Sequence, residues 1–201
     1  MQFSFLSHFN FIRTALFAFI GLVPLVGSMT VDGGVDSSRQ ARSRSLSVNR
    51  PRVVVVKSKR LLHLFDGHRL VRTYPFDLGF APVGQKTCRS DGRTPEGRFQ
   101  VVRVNADSPY HRFLGISYPD REAVERGRAS GYLSAGDAGG ILAALEQGRS
   151  PDWSTDLGGG IGIHGHRSGR DWTAGCIALS DEHVEELFNV LRVGDVVEIL
   201  P

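Results

Sequence analysis

The chain has 201 residues, 41% of them hydrophobic and 22% charged, the balance of a soluble globular protein with room for one full core and an extension. Its net charge of +3 is unevenly placed: residues 37–60 carry eight basic side chains and no acid, whereas residues 61–201 carry 15 basic and 19 acidic ones. A nucleic-acid-binding domain would hold its positive charge on the folded face, so this distribution argues against one, and two cysteines, Cys88 and Cys176, are too few for a disulfide scaffold.

Residues 1–28 contain Arg13 as their only charge, then an apolar run from Thr14 to Gly27 that is interrupted by Pro24. The run is shorter than the roughly 20 residues of a spanning helix, and with Gly27-Ser28 at its end it is expected to be an export signal, with an uncleaved membrane anchor as the alternative. Either puts the rest of the chain outside the cytoplasm, in the periplasm or cell envelope. Residues 29–50, rich in serine and arginine, are expected to be a disordered basic linker; membrane contact, if any, belongs to residues 1–50. Residues 51–201 form the expected folded domain.

From Pro51 the pattern is that of strands. Val53–Val56 is β-branched throughout, Arg60–Phe65 runs into the turn dipeptide Asp66-Gly67, and a partner strand follows from His68 to about Phe76. His63 and His68 are read as surface residues of this hairpin. Asp91-Gly92-Arg93-Thr94-Pro95-Glu96-Gly97 is a dense turn before a strand over Arg98–Val104; it lacks the Lys-Ser/Thr of a phosphate-binding loop. Short helices are expected over Arg121–Arg128 and Ala138–Gln147. A third begins at Ser180, with Val184, Leu187, Phe188 and Leu191 on one face, and a closing strand spans Val196–Leu200. His183 is expected to be exposed on that third helix.

The chemistry concentrates between residues 161 and 179. Ile161-Gly162-Ile163-His164-Gly165-His166 reads as a buried strand ending on histidine, and Cys176 follows twelve residues after His164, behind Thr173-Ala174-Gly175. A thiol becomes a competent nucleophile when a base takes its proton, and histidine is the usual base. The glycine before the cysteine lets the backbone turn and aim N–H groups at a developing oxyanion. Cys176 and His164 are therefore the candidate catalytic residues.

These residues also carry a resemblance. Ile-His-Gly followed by Arg170-Asp171-Trp172-Thr173-Ala174-Gly175-Cys176-Ile177-Ala178 resembles the L,D-transpeptidase catalytic domain (YkuD-type), in the branch with Arg-Asp-Trp-Thr-x-Gly-Cys-Ile-Ala. Gly79–Lys86, Asp91–Gly97 and Ser108–Asp120 match further elements of that family in order, so the resemblance covers about residues 53–200. It implies a mainly β fold with a few short helices, a mixed sheet or barrel with the Cys–His pair at one open end. It also implies a peptidoglycan cysteine acyltransferase without a cofactor or metal. Cys176 would form a thioester with a stem tetrapeptide, release D-alanine and pass the acyl group to an amine of another stem or of a wall-linked lipoprotein. His164 would be the base, its ring oriented by the carbonyl of Gly165; backbone N–H groups around Gly175 and Cys176 would hold the oxyanion. Thr173, His166, Arg170 and Tyr118 are the candidate substrate contacts. Two departures from many members, Ala174 before the Gly-Cys pair and Ala178 after it, leave transfer and hydrolysis both open.

Three other readings stand beside this one. His164, His166 and Cys176 could ligate zinc with an open position. The domain could be a silent wall-binding module, or a peptidoglycan amidase or hydrolase of the same fold that detaches lipoprotein or trims stems.

Overall fold

The computed structural model describes residues 46–201. The expected signal, residues 1–28, and all but the last five residues of the expected linker lie outside the described residues. Those last five belong to the folded body: Leu46 and Val48 pack against the core, and the Asn49 and Arg50 N–H groups donate to Asp66 Oδ1.

Eight strands form one mixed sheet. In chain order they are β1 (Pro51–Val56), β2 (Leu61–Asp66), β3 (Arg69–Pro75), β4 (Gly97–Ser108), β5 (His111–Ile116), β6 (Gly162–His164), β7 (Ile177–Ala178) and β8 (Val196–Leu200), and across the sheet they run β3-β2-β1-β8-β4-β5-β6-β7. Pairs β1–β8 and β6–β7 are parallel and the others antiparallel. The valine run makes β1 an inner strand. Val53 and Val55 are fully buried, beside Leu62 and Leu64 of β2 and Val197 and Ile199 of β8. Each such side chain contributes about 1.5–3 kcal/mol when fully buried.

Strand β4 is twice the length of its neighbours because it serves two partners. Gly97–Gln100 pair with β8, Val101–Ser108 pair with β5, and the register shifts between Val101 and Arg103. Such an irregularity bends and twists a strand, which curls the sheet into a half-barrel. The chain just after β3 then meets the other end of the sheet order, through bridges from Asp77 to Ala178 and from Gly79 to Thr173. These long-range bridges carry no local signal and were not anticipated.

Three short helices complete the domain: α1 (Arg121–Ala129), α2 (Ala135–Glu146) and α3 (Asp181–Val190). Asp120, Ser134 and Ser180 cap them by accepting from the N–H groups of Ala123, Asp137 and His183. Helix α2 starts three residues earlier than expected, since Ser134 is its cap, and Gly139 and Gly140 face open space. Helix α3 presents Val184 and Leu187 to the core, against β5 and β6. His183 departs from expectation: its ring is half-buried with its centroid 5.0 Å from that of Tyr74.

Candidate active site

Strands β6 and β7 are parallel neighbours, with His164 opposite Ala178 and Ile163 opposite Ile177. Cys176 directly precedes β7, level with Gly162 at the start of the pair, and His164 ends β6 two positions further along. Alternation along an extended segment puts Cys176 on the same side of the sheet as Ala178, the partner of His164. The sheet therefore carries the two residues on neighbouring strands with their side chains on one face.

His164 is buried, with 3% of its surface exposed. Its Nδ1 lies 2.7 Å from the Gly165 carbonyl oxygen. A carbonyl can only accept, so Nδ1 carries the proton and Nε2 is left as the basic nitrogen. Burial lowers the imidazole pKa, the Gly165 carbonyl raises it in part, and nearby His166 lowers it again. The ring is held on two sides by aromatics, with Tyr110 at 4.8 Å and Trp172 at 5.8 Å between centroids. Neither aromatic had been singled out. Tyr110 sits at the tip of the β4–β5 hairpin, and that tip is fastened to the site by the Gly165 N–H donating to the Tyr110 carbonyl.

Cys176 is half-buried as a residue. The Sγ donates to the Gly160 carbonyl at 3.5 Å and forms no hydrogen bond with His164. Desolvation pushes the thiol up to about 11, against the Gly162 N–H and the charge of Lys86, which both pull it down. Both shifts favour the neutral forms, a protonated thiol and an uncharged imidazole.

The cysteine loop is shaped by Thr173 and Gly175. Thr173 is buried; its hydroxyl donates to the Cys176 carbonyl at 2.7 Å and accepts from the Gly175 N–H at 3.1 Å. Thr173 is thus committed to the loop, and the Gly175 N–H is engaged by its hydroxyl. Gly175 is required for another reason. Its φ is +132°, and a Cβ there would come within 2.6 Å of the Arg93 carbonyl oxygen. Gly175→Ala is expected to destabilise the domain by about 1–3 kcal/mol and to displace Cys176. Urea unfolding should show the first effect, and a fall in thiol alkylation rate that exceeds any loss of folded protein the second.

Gly165 is held just as tightly, because a Cβ would collide with the Asp181 carboxylate and the Tyr110 carbonyl. His166 does not continue the strand. Its φ of +62° turns it out to solvent, where its N–H donates to Asp181 Oδ1 and its ring lies 6.1 Å from that of Tyr110. It therefore stands at the rim of the site and does not share the face of His164. Arg170 is exposed on the loop. Tyr118 is fully buried, packs edge-on against Phe99 and directs its hydroxyl at the Leu157 carbonyl, so it contributes packed wall surface and its hydroxyl is committed to the fold.

Two carboxylates fix the segment between His164 and Cys176. Asp77, 3% exposed, accepts from the N–H groups of Ser168 and Gly169 and pairs with Arg167 at 3.2 Å. Asp171 accepts from the Leu78 N–H and takes both arms of Arg60, which hold its carboxyl below the usual carboxylate range against the opposing effect of burial. Both residues draw this loop onto the chain following β3. Among the described residues, no three His, Cys, Asp or Glu side chains are grouped as metal ligands.

The fold is a curled mixed sheet that carries His164 on β6 and Cys176 just ahead of its parallel neighbour β7. The model of the L,D-transpeptidase catalytic domain (YkuD) matches residues 50–199, and the chain belongs to that family. A search of curated proteins returns no match. Among solved structures, the helical cell shape determining protein Pgp2 from Campylobacter jejuni is similar at 21% identity and a TM-score of 0.52, covering 76% of this chain and 48% of that one. An L,D-transpeptidase from Mycobacterium smegmatis is similar at 12% identity (TM-score 0.45; 76% of this chain, 59% of that one), and L,D-transpeptidase 1 of Mycobacterium tuberculosis at 15% (TM-score 0.42; 75% and 61%). The chain thus spans about half to three-fifths of the length of these proteins, and at such identities the likeness is one of fold.

Proposed function

We propose that the protein is a peptidoglycan L,D-transpeptidase that works through a thioester on Cys176. As Sγ attacks the carbonyl between the third residue of a stem tetrapeptide and its terminal D-alanine, His164 Nε2 takes the thiol proton. The tetrahedral oxyanion is held by the Cys176 N–H, since that of Gly175 is engaged by Thr173. Collapse breaks the C–N bond, His164 returns its proton to the departing D-alanine amine, and the acyl group stays on sulfur. A second amine, from a neighbouring stem or a wall-linked lipoprotein, loses a proton to His164, displaces the sulfur and restores the thiol.

The observation that carries this reading is the 2.7 Å contact between His164 Nδ1 and the Gly165 carbonyl. It leaves a neutral, acceptor-competent Nε2 on the strand beside the one Cys176 leads into. The reaction belongs to cell-wall remodelling in the periplasm or envelope, and the apolar segment within residues 1–28 supplies the export signal. Likeness to a cell-shape-determining protein accords with wall remodelling.

Ala174 and Ala178 keep the alternative of water as acceptor in play, and a single measurement separates the two. Purified protein is incubated with disaccharide-tetrapeptide, with and without a second stem as amine donor, and the products are weighed by mass spectrometry. A cross-linked dimer is the expected product. Tripeptide alone, at equal yield with and without the amine, would make the protein a hydrolase.

A further inference from the structure

A cavity of about 330 Å³ lies between the segment around Lys86, helix α1 and the chain near Leu157. Its walls combine aromatic and aliphatic surface from Tyr118, Tyr132 and Leu157 with polar groups from Lys86, Arg126 and Ser130. That mixture, a mostly apolar wall with a few convergent polar groups, is the usual make-up of a small-ligand site. We infer that this cavity is a subsite that recognises a carboxylate of the acyl-donor peptide; the inference rests on the transpeptidase reading above.

The cations in the cavity are differently occupied. Lys86 is 2% exposed; its ammonium donates to Asp91 at 2.7 Å and to the Cys88 carbonyl at 3.1 Å. An ammonium has three N–H donors, so one remains for a ligand. Arg126 is exposed, and its ion pair is with Glu122 at 3.6 Å, one turn away on the same helix. Exposed pairs of this spacing contribute only about 0.3–0.5 kcal/mol, so a ligand carboxylate can displace Glu122 at little cost. The remaining nearby acid, Asp120, is engaged as the cap of α1. Ser130 donates its own hydroxyl to helix carbonyls, which leaves Arg126 and Lys86 as the groups to meet an anion.

The cavity is also within reach of the chemistry. Leu157 forms part of its wall, and Gly160, three residues on, supplies the carbonyl that touches the Cys176 thiol. Three residues span at most about 10 Å, so one wall of the cavity and the carbonyl that touches the thiol belong to the same short segment. A stem peptide bears carboxylates within that range, on its γ-linked glutamate and on its diamino acid. Arg at such a position binds a carboxylate through two parallel N–H groups and discriminates strongly against the neutral amide.

The test compares the free-acid disaccharide-tetrapeptide with two forms, one amidated on the glutamate and one on the diamino acid. For the wild type, one of the two amidations is expected to raise KM about 10-fold, the effect of losing one charge-assisted hydrogen bond of 1.5 kcal/mol or a little less. In Arg126→Ala that amide-to-acid ratio should collapse to about 1, and Arg126→Lys should restore part of it. Equal KM values for all three peptides in the wild type, or an unchanged ratio in Arg126→Ala, would overturn the inference. Calorimetric binding of the same peptides to Cys176→Ala separates this result from the fate of the reaction. Discrimination in binding without D-alanine release by the wild type would keep the subsite and remove the transpeptidase reading; release without discrimination would do the reverse.

Discussion

Replacing His164 with alanine is expected to lower the rate of D-alanine release at pH 7 by about 10²–10⁴, the usual contribution of a positioned general base. The thiol is the reason the effect should be this large. With its pKa near 11, Cys176 is almost wholly protonated at neutral pH, so without a base the attack must proceed through a very small thiolate fraction. The same pair of shifts fixes the pH profile. His164 is active as the neutral imidazole, and burial lowers its pKa, so the rate should rise with pH through a value below 6.5 and then stay level across the neutral range. In the alanine variant the plateau should vanish, and the rate should climb steadily toward pH 11 as hydroxide supplies the thiolate. A variant with the wild-type profile would show that another group is the base.

Cys176→Ala is expected to abolish release, since the other donors of the site can only polarise the bond and no second nucleophile is placed to replace the sulfur. Cys88, the other free cysteine, lies in the segment after Lys86, and its N–H accompanies those of Thr87 and Arg93 in binding the Asp91 carboxylate. Cys88→Ala should therefore retain the acylation that Cys176→Ala loses. The neutral resting state has a further consequence. Iodoacetamide should modify Cys176 slowly at pH 5 and faster as pH rises toward 11, whereas an ion-paired thiolate would react readily at pH 5.

Much of this arrangement could be read from the chain because its signals are local. The alternating burial of Val53 and Val55, the Asp66-Gly67 turn, the Ser180 cap and the i, i+3, i+4 spacing of Val184, Leu187 and Phe188 each lie within a few residues and depend on backbone periodicity. The His164 strand and the Gly-Cys turn were legible for the same reason. What escaped depends on contacts between distant segments. The hairpin tip carries Tyr110 onto a histidine 54 positions later, and Asp77 and Arg60 secure a loop about a hundred residues downstream. Tyr118 and Thr173 are polar side chains near a motif, a pattern that in sequence resembles a ligand contact. In the fold both are buried, and their hydroxyls serve backbone carbonyls, with Thr173 also accepting from Gly175. The outward turn of His166 depends on its positive φ, which no local sequence pattern announces.

The central claim is that acyl transfer passes through the sulfur of Cys176. Intact-protein mass spectrometry after brief mixing with disaccharide-tetrapeptide tests it most directly. Wild-type protein should gain the mass of the peptide less D-alanine, on Cys176 and in a form that hydroxylamine removes, while Cys176→Ala gains nothing. D-alanine release by Cys176→Ala at the wild-type rate, or an adduct mapped to any other residue, would contradict the account.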